Sequence, residues 1–137
     1  MRAMKARYPH LEIVLNGGIK TMAEARGETQ GLDGVMLGRA AYHDPWILRE
    51  IDEAFYGGPT FTATREDIVQ DVIGYAERKQ DEDRSTKALI RHIMGLYAGR
   101  PGARLWRRTL SENMSKAKPA DVIRMAAEAM ARLQVAA

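Results

Sequence analysis

Two short apolar runs near the start of the chain, Leu11-Glu12-Ile13-Val14-Leu15 and Gly34-Val35-Met36-Leu37, give way to helical spacing along the rest of its length. Each run predicts a strand. Between them, Thr21-Met22-Ala23-Glu24-Ala25 predicts a helix with Thr21 as N-cap and Glu24 completing a capping box. Arg2 to Tyr8 ahead of the first strand reads as a helix stopped by Pro9. After the second strand, Ala40-Ala41-Tyr42 reads as a short helical segment. Pro45 then opens a helix from Trp46 to Tyr56 that places Ile47, Leu48, Ile51, Ala54 and Phe55 on one face.

Gly57-Gly58-Pro59-Thr60 breaks the pattern, and everything beyond it reads as helix. Arg65 to Lys79 behind a Thr64 cap, Thr86 to Ala98, Ala103 to Ser115 and Pro119 to Leu133 are joined by short connections, which predicts an antiparallel bundle. The pattern therefore divides the chain into a β/α part, residues 1–58, and an all-α part, residues 59–137. Trp106 reads as core, and Met114, Met125 and Met130 as core filler.

Length changes the picture of the β/α part. A complete (β/α)₈ barrel takes roughly 250 residues and small versions roughly 200, whereas this chain has 137. Two parallel strands alone leave faces and edges to be covered, so the expectation is a piece of a larger enzyme. Composition adds exclusions. The absence of Cys removes disulfides, thiolate metal sites and a Cys nucleophile from this stretch. No apolar run is long enough to span a bilayer and no signal-peptide pattern opens the chain, so a cytoplasmic location without a membrane is expected. No metal site is expected either.

The two strands end in the most suggestive chemistry. Asn16-Gly17-Gly18-Ile19 follows the first, and Gly38-Arg39 follows the second. Glycine lets the main chain approach an anion closely, and Arg adds a permanently charged fork suited to phosphate. In (β/α)₈ barrels a frequent phosphate site lies in the loops after strands 7 and 8. These two units thus resemble the last two of such a barrel. The same glycines also serve tight turns structurally, and the phosphate could belong to a sugar, a flavin mononucleotide or a nucleotide.

Charge divides along the chain as well. From Asp44 to Asp83 there are eleven acids against four bases; from Arg84 to Lys118 there are nine bases against Glu112 alone. A basic stretch of this kind is what meets a polyanion, or else a solvated face paired with the acidic stretch. Its centre is Gly102-Ala103-Arg104-Leu105-Trp106-Arg107-Arg108-Thr109-Leu110, where Arg104, Arg107 and Arg108 share one helical face while Leu105, Trp106 and Leu110 turn inward. RNA phosphates and bases suit such a row, because Arg both forks to phosphate and stacks. Pairing of Arg108 with Glu112 is the structural alternative. His92 reads as a structural or RNA-contacting residue of the bundle.

Taken in order, Asn16-Gly17-Gly18-Ile19, Leu32-Asp33-Gly34-Val35-Met36-Leu37-Gly38-Arg39-Ala40-Ala41-Tyr42, Asp44-Pro45-Trp46, Arg91-His92-Ile93-Met94-Gly95-Leu96-Tyr97 and Gly102 to Asn113 resemble the C-terminal part of a tRNA-dihydrouridine synthase of the A type. The resemblance implies an FMN-dependent TIM barrel followed by a helical tRNA-recognition domain. It implies reduction of a D-loop uridine of tRNA, of the 20/20a class, to 5,6-dihydrouridine with NADPH as hydride source. The family's flavin-phosphate contacts fall on Asn16, Gly17, Gly18, Gly38 and Arg39, and its tRNA contacts on Arg104, Arg107 and Arg108. Its catalytic Cys and flavin-ring contacts should precede Met1. No catalytic residue is therefore assigned in this chain, which alone is expected to be inactive and to need the N-terminal remainder of the barrel. A non-catalytic RNA-binding helical module and another phosphate-binding barrel enzyme are the competing expectations.

Overall fold

A computed structural model describes residues 1–79 and 85–135. Asp81, Glu82, Asp83 and Arg84 of the charged stretches lie outside the described residues. The chain forms two compact units, Met1–Phe61 and Thr62–Ala137.

The first unit runs α1 (Arg2–Arg7), β1 (Val14–Asn16), α2 (Met22–Thr29), β2 (Gly34–Met36), α3 (Arg39–His43), a 3₁₀ helix (Pro45–Glu50) and α4 (Ile51–Tyr56). β1 and β2 pair in parallel, with Val14 opposite Gly34, Leu15 opposite Val35 and Asn16 opposite Met36. Both strands therefore finish side by side, pointing the same way. The strand expected from Leu11 is shorter than its apolar run because its start is engaged elsewhere. Leu11 N–H donates to the Tyr8 carbonyl at 3.1 Å, and Ile13 N–H donates to the Asp33 carboxylate at 2.8 Å. Lys5 Nζ closes on the same carboxylate at 2.8 Å. Asp33 thus ties the chain before β1 to the chain before β2.

Capping by Thr21 and Glu24 forms as the sequence predicts, with Glu24 N–H donating to Thr21 Oγ1 at 3.1 Å. The helix expected from Trp46 instead begins as a 3₁₀ turn, with the Asp44 carboxylate accepting from Trp46 N–H at 3.2 Å and Ile47 N–H donating to the Asp44 carbonyl. That tighter winding turns Leu48 outward, so it leaves the apolar face assigned to it and is 44% exposed. The core consists of Ile19, Met22 and Ala25, against which Leu15, Val35, Leu37, Ile47, Ile51, Ala54 and Phe55 pack.

The second unit contains α5 (Arg65–Arg78), α6 (Ser85–Ile93), α7 (Ala103–Asn113) and α8 (Pro119–Val135), with α8 packed against each of the other three. Val69, Ile73, Ile90, Trp106, Leu110, Ile123 and Met130 lie in its core. Met125 does not: it is 44% exposed, on the outer side of α8. The helix expected to reach Ala98 stops at Ile93. Leu96 N–H donates to the Ile93 carbonyl and Ala98 N–H to the Gly95 carbonyl, one tight turn after another. Side chains from elsewhere bond carbonyls here as well: Trp106 Nε1 donates at 2.9 Å to the Ile93 carbonyl, which also accepts from Leu96 N–H, and Arg65 Nε donates to the Leu96 carbonyl at 2.8 Å. No helix among the described residues is long and apolar enough to cross a membrane.

Candidate functional site

The parallel register delivers the ends of β1 and β2 into one cleft of about 720 Å³, lined by Asn16, Gly17, Gly18, Met36, Gly38 and Arg39 among others. Gly17 has φ +151° and Gly18 φ +74°, conformations that need glycine. Ile19 immediately after them is buried and pins the turn to the core. The capping box takes donors at the entrance to α2 from play: Lys20 N–H and Thr21 N–H both donate to the Glu24 carboxylate, at 2.7 and 3.3 Å, and Glu24 N–H donates to the Thr21 hydroxyl. Main-chain donors remain further back in the turn, where the N–H groups of Gly18 and Ile19 have no acceptor among the described residues.

Gly38 teaches something different. Its φ of −83° suits any residue. A Cβ there would meet only Met36 Cε, at an ordinary 3.5 Å. Packing among the described residues does not ask for glycine at this position, although its ψ of −85° lies beyond the ordinary helical region, and glycine leaves room for close approach from the cleft. Beside it the exposed Arg39 guanidinium has no hydrogen bond or ion pair among the described residues. An unpaired guanidinium, open main-chain donors and an exposed Asn16 in one concavity form a set of donors suited to a dianion such as a phosphate monoester.

Sequence reasoning missed two groups lining the same cleft, Lys20 and His43. Their signal was positional: Lys20 follows the Gly-Gly-Ile turn directly, and His43 stands four residues after Arg39, on the same side of α3. Asp44 lines the cleft as well, with one carboxylate oxygen engaged by Trp46 N–H.

In the second unit, α7 is two-faced. Trp106 and Leu110 are fully buried, and the Trp106 ring lies 4.9 Å from that of Tyr97. Burial, with the Glu66 carboxylate 3.1 Å from its oxygen, pushes the Tyr97 hydroxyl well above the usual tyrosine range, so it stays a neutral donor. The opposite face carries exposed Arg104, Arg107 and Arg108. Pairing with Glu112 reaches only Arg108, at 4.0 Å, while Arg104 and Arg107 have no partner among the described residues. His92 is exposed rather than buried in the helical core. No group of residues suited to a metal ion occurs among the described residues.

Comparison with known proteins adds a family. The family described as dihydrouridine synthase (Dus) matches residues 1–133. A tRNA-dihydrouridine(20/20a) synthase from Vibrio cholerae is 38% identical over 130 residues, 95% of this chain and 39% of that protein. Proteins of the same name from Salmonella typhimurium and Escherichia coli K12 are each 42% identical over 114 residues, 83% of this chain. The chain spans 34% of the former and 33% of the latter.

Proposed function

This chain belongs to the dihydrouridine synthase family, and on that premise we propose that it is the flavin-phosphate-holding and tRNA-gripping part of a cytoplasmic tRNA-dihydrouridine synthase of the 20/20a class. β1 and β2 with their helices then belong to the end of a flavin-binding TIM barrel, and the second unit is the tRNA-recognition domain. In this reading the Gly17-Gly18 turn, Asn16, Gly38 and Arg39 hold the phosphate of FMN. Bound there, FMN would supply the hydride, renewed from NADPH, that reduces uracil to 5,6-dihydrouracil. The chain's own work is binding and orientation. Main-chain donors fix the phosphate, the Arg39 fork neutralises it, and Arg104, Arg107 and Arg108 draw in tRNA phosphates so that a D-loop uridine can leave its stack. The resemblance implies a Cys as the acid that protonates the uracil; this sequence has none, and in this reading another part of the enzyme supplies it.

One observation carries this proposal: the two turns share a cleft in which the Arg39 guanidinium has no partner. Titrating the 137-residue chain with FMN and with riboflavin, which lacks the phosphate, tests it. FMN should bind more tightly, and Arg39→Ala should abolish the difference. Equal affinity of the native chain for the two flavins would overturn the phosphate role.

A further inference from the structure

Resting on the phosphate site proposed above, we infer that His43 is a further anion-binding residue of the cleft, one that strengthens its grip when protonated. His43 lines the cleft with Arg39 and the Gly17-Gly18 turn. Standing at i+4 from Arg39 on α3, it brings its Cβ within about 5–6 Å of that residue's, close enough for both side chains to meet one dianion. Its ring lies edge-on to Tyr42 at 6.2 Å between centroids. Its two nitrogens, however, have no hydrogen-bond partner among the described residues. The imidazole is thus exposed, oriented by a neighbour and unengaged.

The surrounding charges decide how protonation acts. Arg39 on the same helix and Lys20 across the cleft are cationic and oppose a further positive charge, while Asp44 favours it. On the 3₁₀ helix packed against α3, Arg49 and Glu50 pair with each other at 2.6 Å and largely cancel. With no anion bound, Arg39 and Lys20 outnumber Asp44 among the charged groups lining the cleft. A bound dianion reverses that balance, so protonation of His43 and anion binding favour each other reciprocally. Histidine is the side chain that ordinarily changes charge between pH 5 and 8, so the cleft should hold anions more firmly toward the acid end of that range.

Sulfate is the probe, because unlike a phosphate monoester it keeps its charge across this range. Amide shifts of Gly18 and Arg39 in the 137-residue chain, followed by NMR at constant ionic strength, report its binding. Affinity should be about threefold higher near pH 5.5 than near pH 8.5, a gain equal to about half a pH unit of proton linkage. In His43→Gln the gain should vanish, with affinity the same near pH 5.5 and near pH 8.5. Arg39→Ala should bind poorly at both pH values. Persistence of the gain in His43→Gln, with binding still dependent on Arg39, would overturn the role of His43 and leave the phosphate site standing. Absence of sulfate binding by the native chain at either pH would overturn both.

Discussion

In the first unit only Ile19, Met22 and Ala25 are buried hydrophobic residues among those described, whereas fourteen such side chains, Trp106 and Leu110 among them, lie in the second. Val14 and Met36, on the strands themselves, are 44% and 50% exposed. The two units also present their candidate binding groups differently. The first offers main-chain donors and one guanidinium in a concavity; the second offers guanidinium groups on the outer face of a helix whose inner face is fully buried. A cleft built from turns depends on strand register, and a row of arginines depends on one well-packed helix. Stability and binding should therefore fail together in the first unit and separately in the second.

The most disruptive test is Trp106→Ala, which empties a fully buried site and leaves the Ile93 carbonyl without its indole donor. A loss of about 3–5 kcal/mol is expected in chemical denaturation of the second unit; a loss below about 1 kcal/mol would mean that the packing there is looser than described. Met22→Ala sharpens the contrast from the other side. The small core around Ile19 and Ala25 should lose about 2 kcal/mol, at the low end for a buried methionine, and FMN affinity should fall with it. Unchanged FMN affinity in that variant would break the link between register and cleft.

Arg104→Glu combined with Arg107→Glu should spare stability while lowering tRNA affinity at least about tenfold and reducing the slope of log affinity against log salt by about 2. An unchanged slope would remove both residues from the RNA interface. The smallest effect concerns the start of α5. Hydrogen bonds from the Thr64 hydroxyl and N–H hold the Asp67 carboxyl below the usual carboxylate range. Its contribution is present above that range and disappears as pH falls through the lowered folded-state value. Thr64→Ala should cost about 1 kcal/mol at neutral pH, and amide exchange at the start of α5 should lose its acid sensitivity. Asp33, lowered by Lys5 and Ile13 N–H, makes the first unit acid-sensitive in the same direction.

The sequence made some of these features legible and concealed others for physical reasons. Strand order, the Thr21–Glu24 capping box, the Thr64 cap, the inward Trp106 and the meeting of the two glycine turns follow from local pattern, because each depends on residues close in sequence or on β-α-β geometry. The late start of β1 does not, since Asp33 takes Ile13 N–H from twenty residues away. Nor does the early end of α6, where distant Arg65 and Trp106 donate to the Leu96 and Ile93 carbonyls. Leu48 matched a helical stripe but fell outside it through 3₁₀ winding, and Met125, read as core filler for its apolar side chain, stands on the outward side of α8, off the stripe of Val122, Ile123, Ala126 and Met130. His43 went unnoticed because its four-residue spacing from Arg39 marks a cleft-lining role only once the Arg39 side of α3 is known to line the cleft.

The side-by-side finish of β1 and β2 has a consequence for the protein's lifetime. A dianion gripped by both turns is a clasp across the ends of a short ladder, and it stabilises whichever chains carry it by mass action, by about 2.7 kcal/mol at a hundred times its dissociation constant. For a unit with so little buried hydrocarbon, that is a large fraction of what keeps it closed. Loaded molecules would resist proteases and empty ones would be cleared first, so cofactor supply would set how many copies survive as well as how many can work.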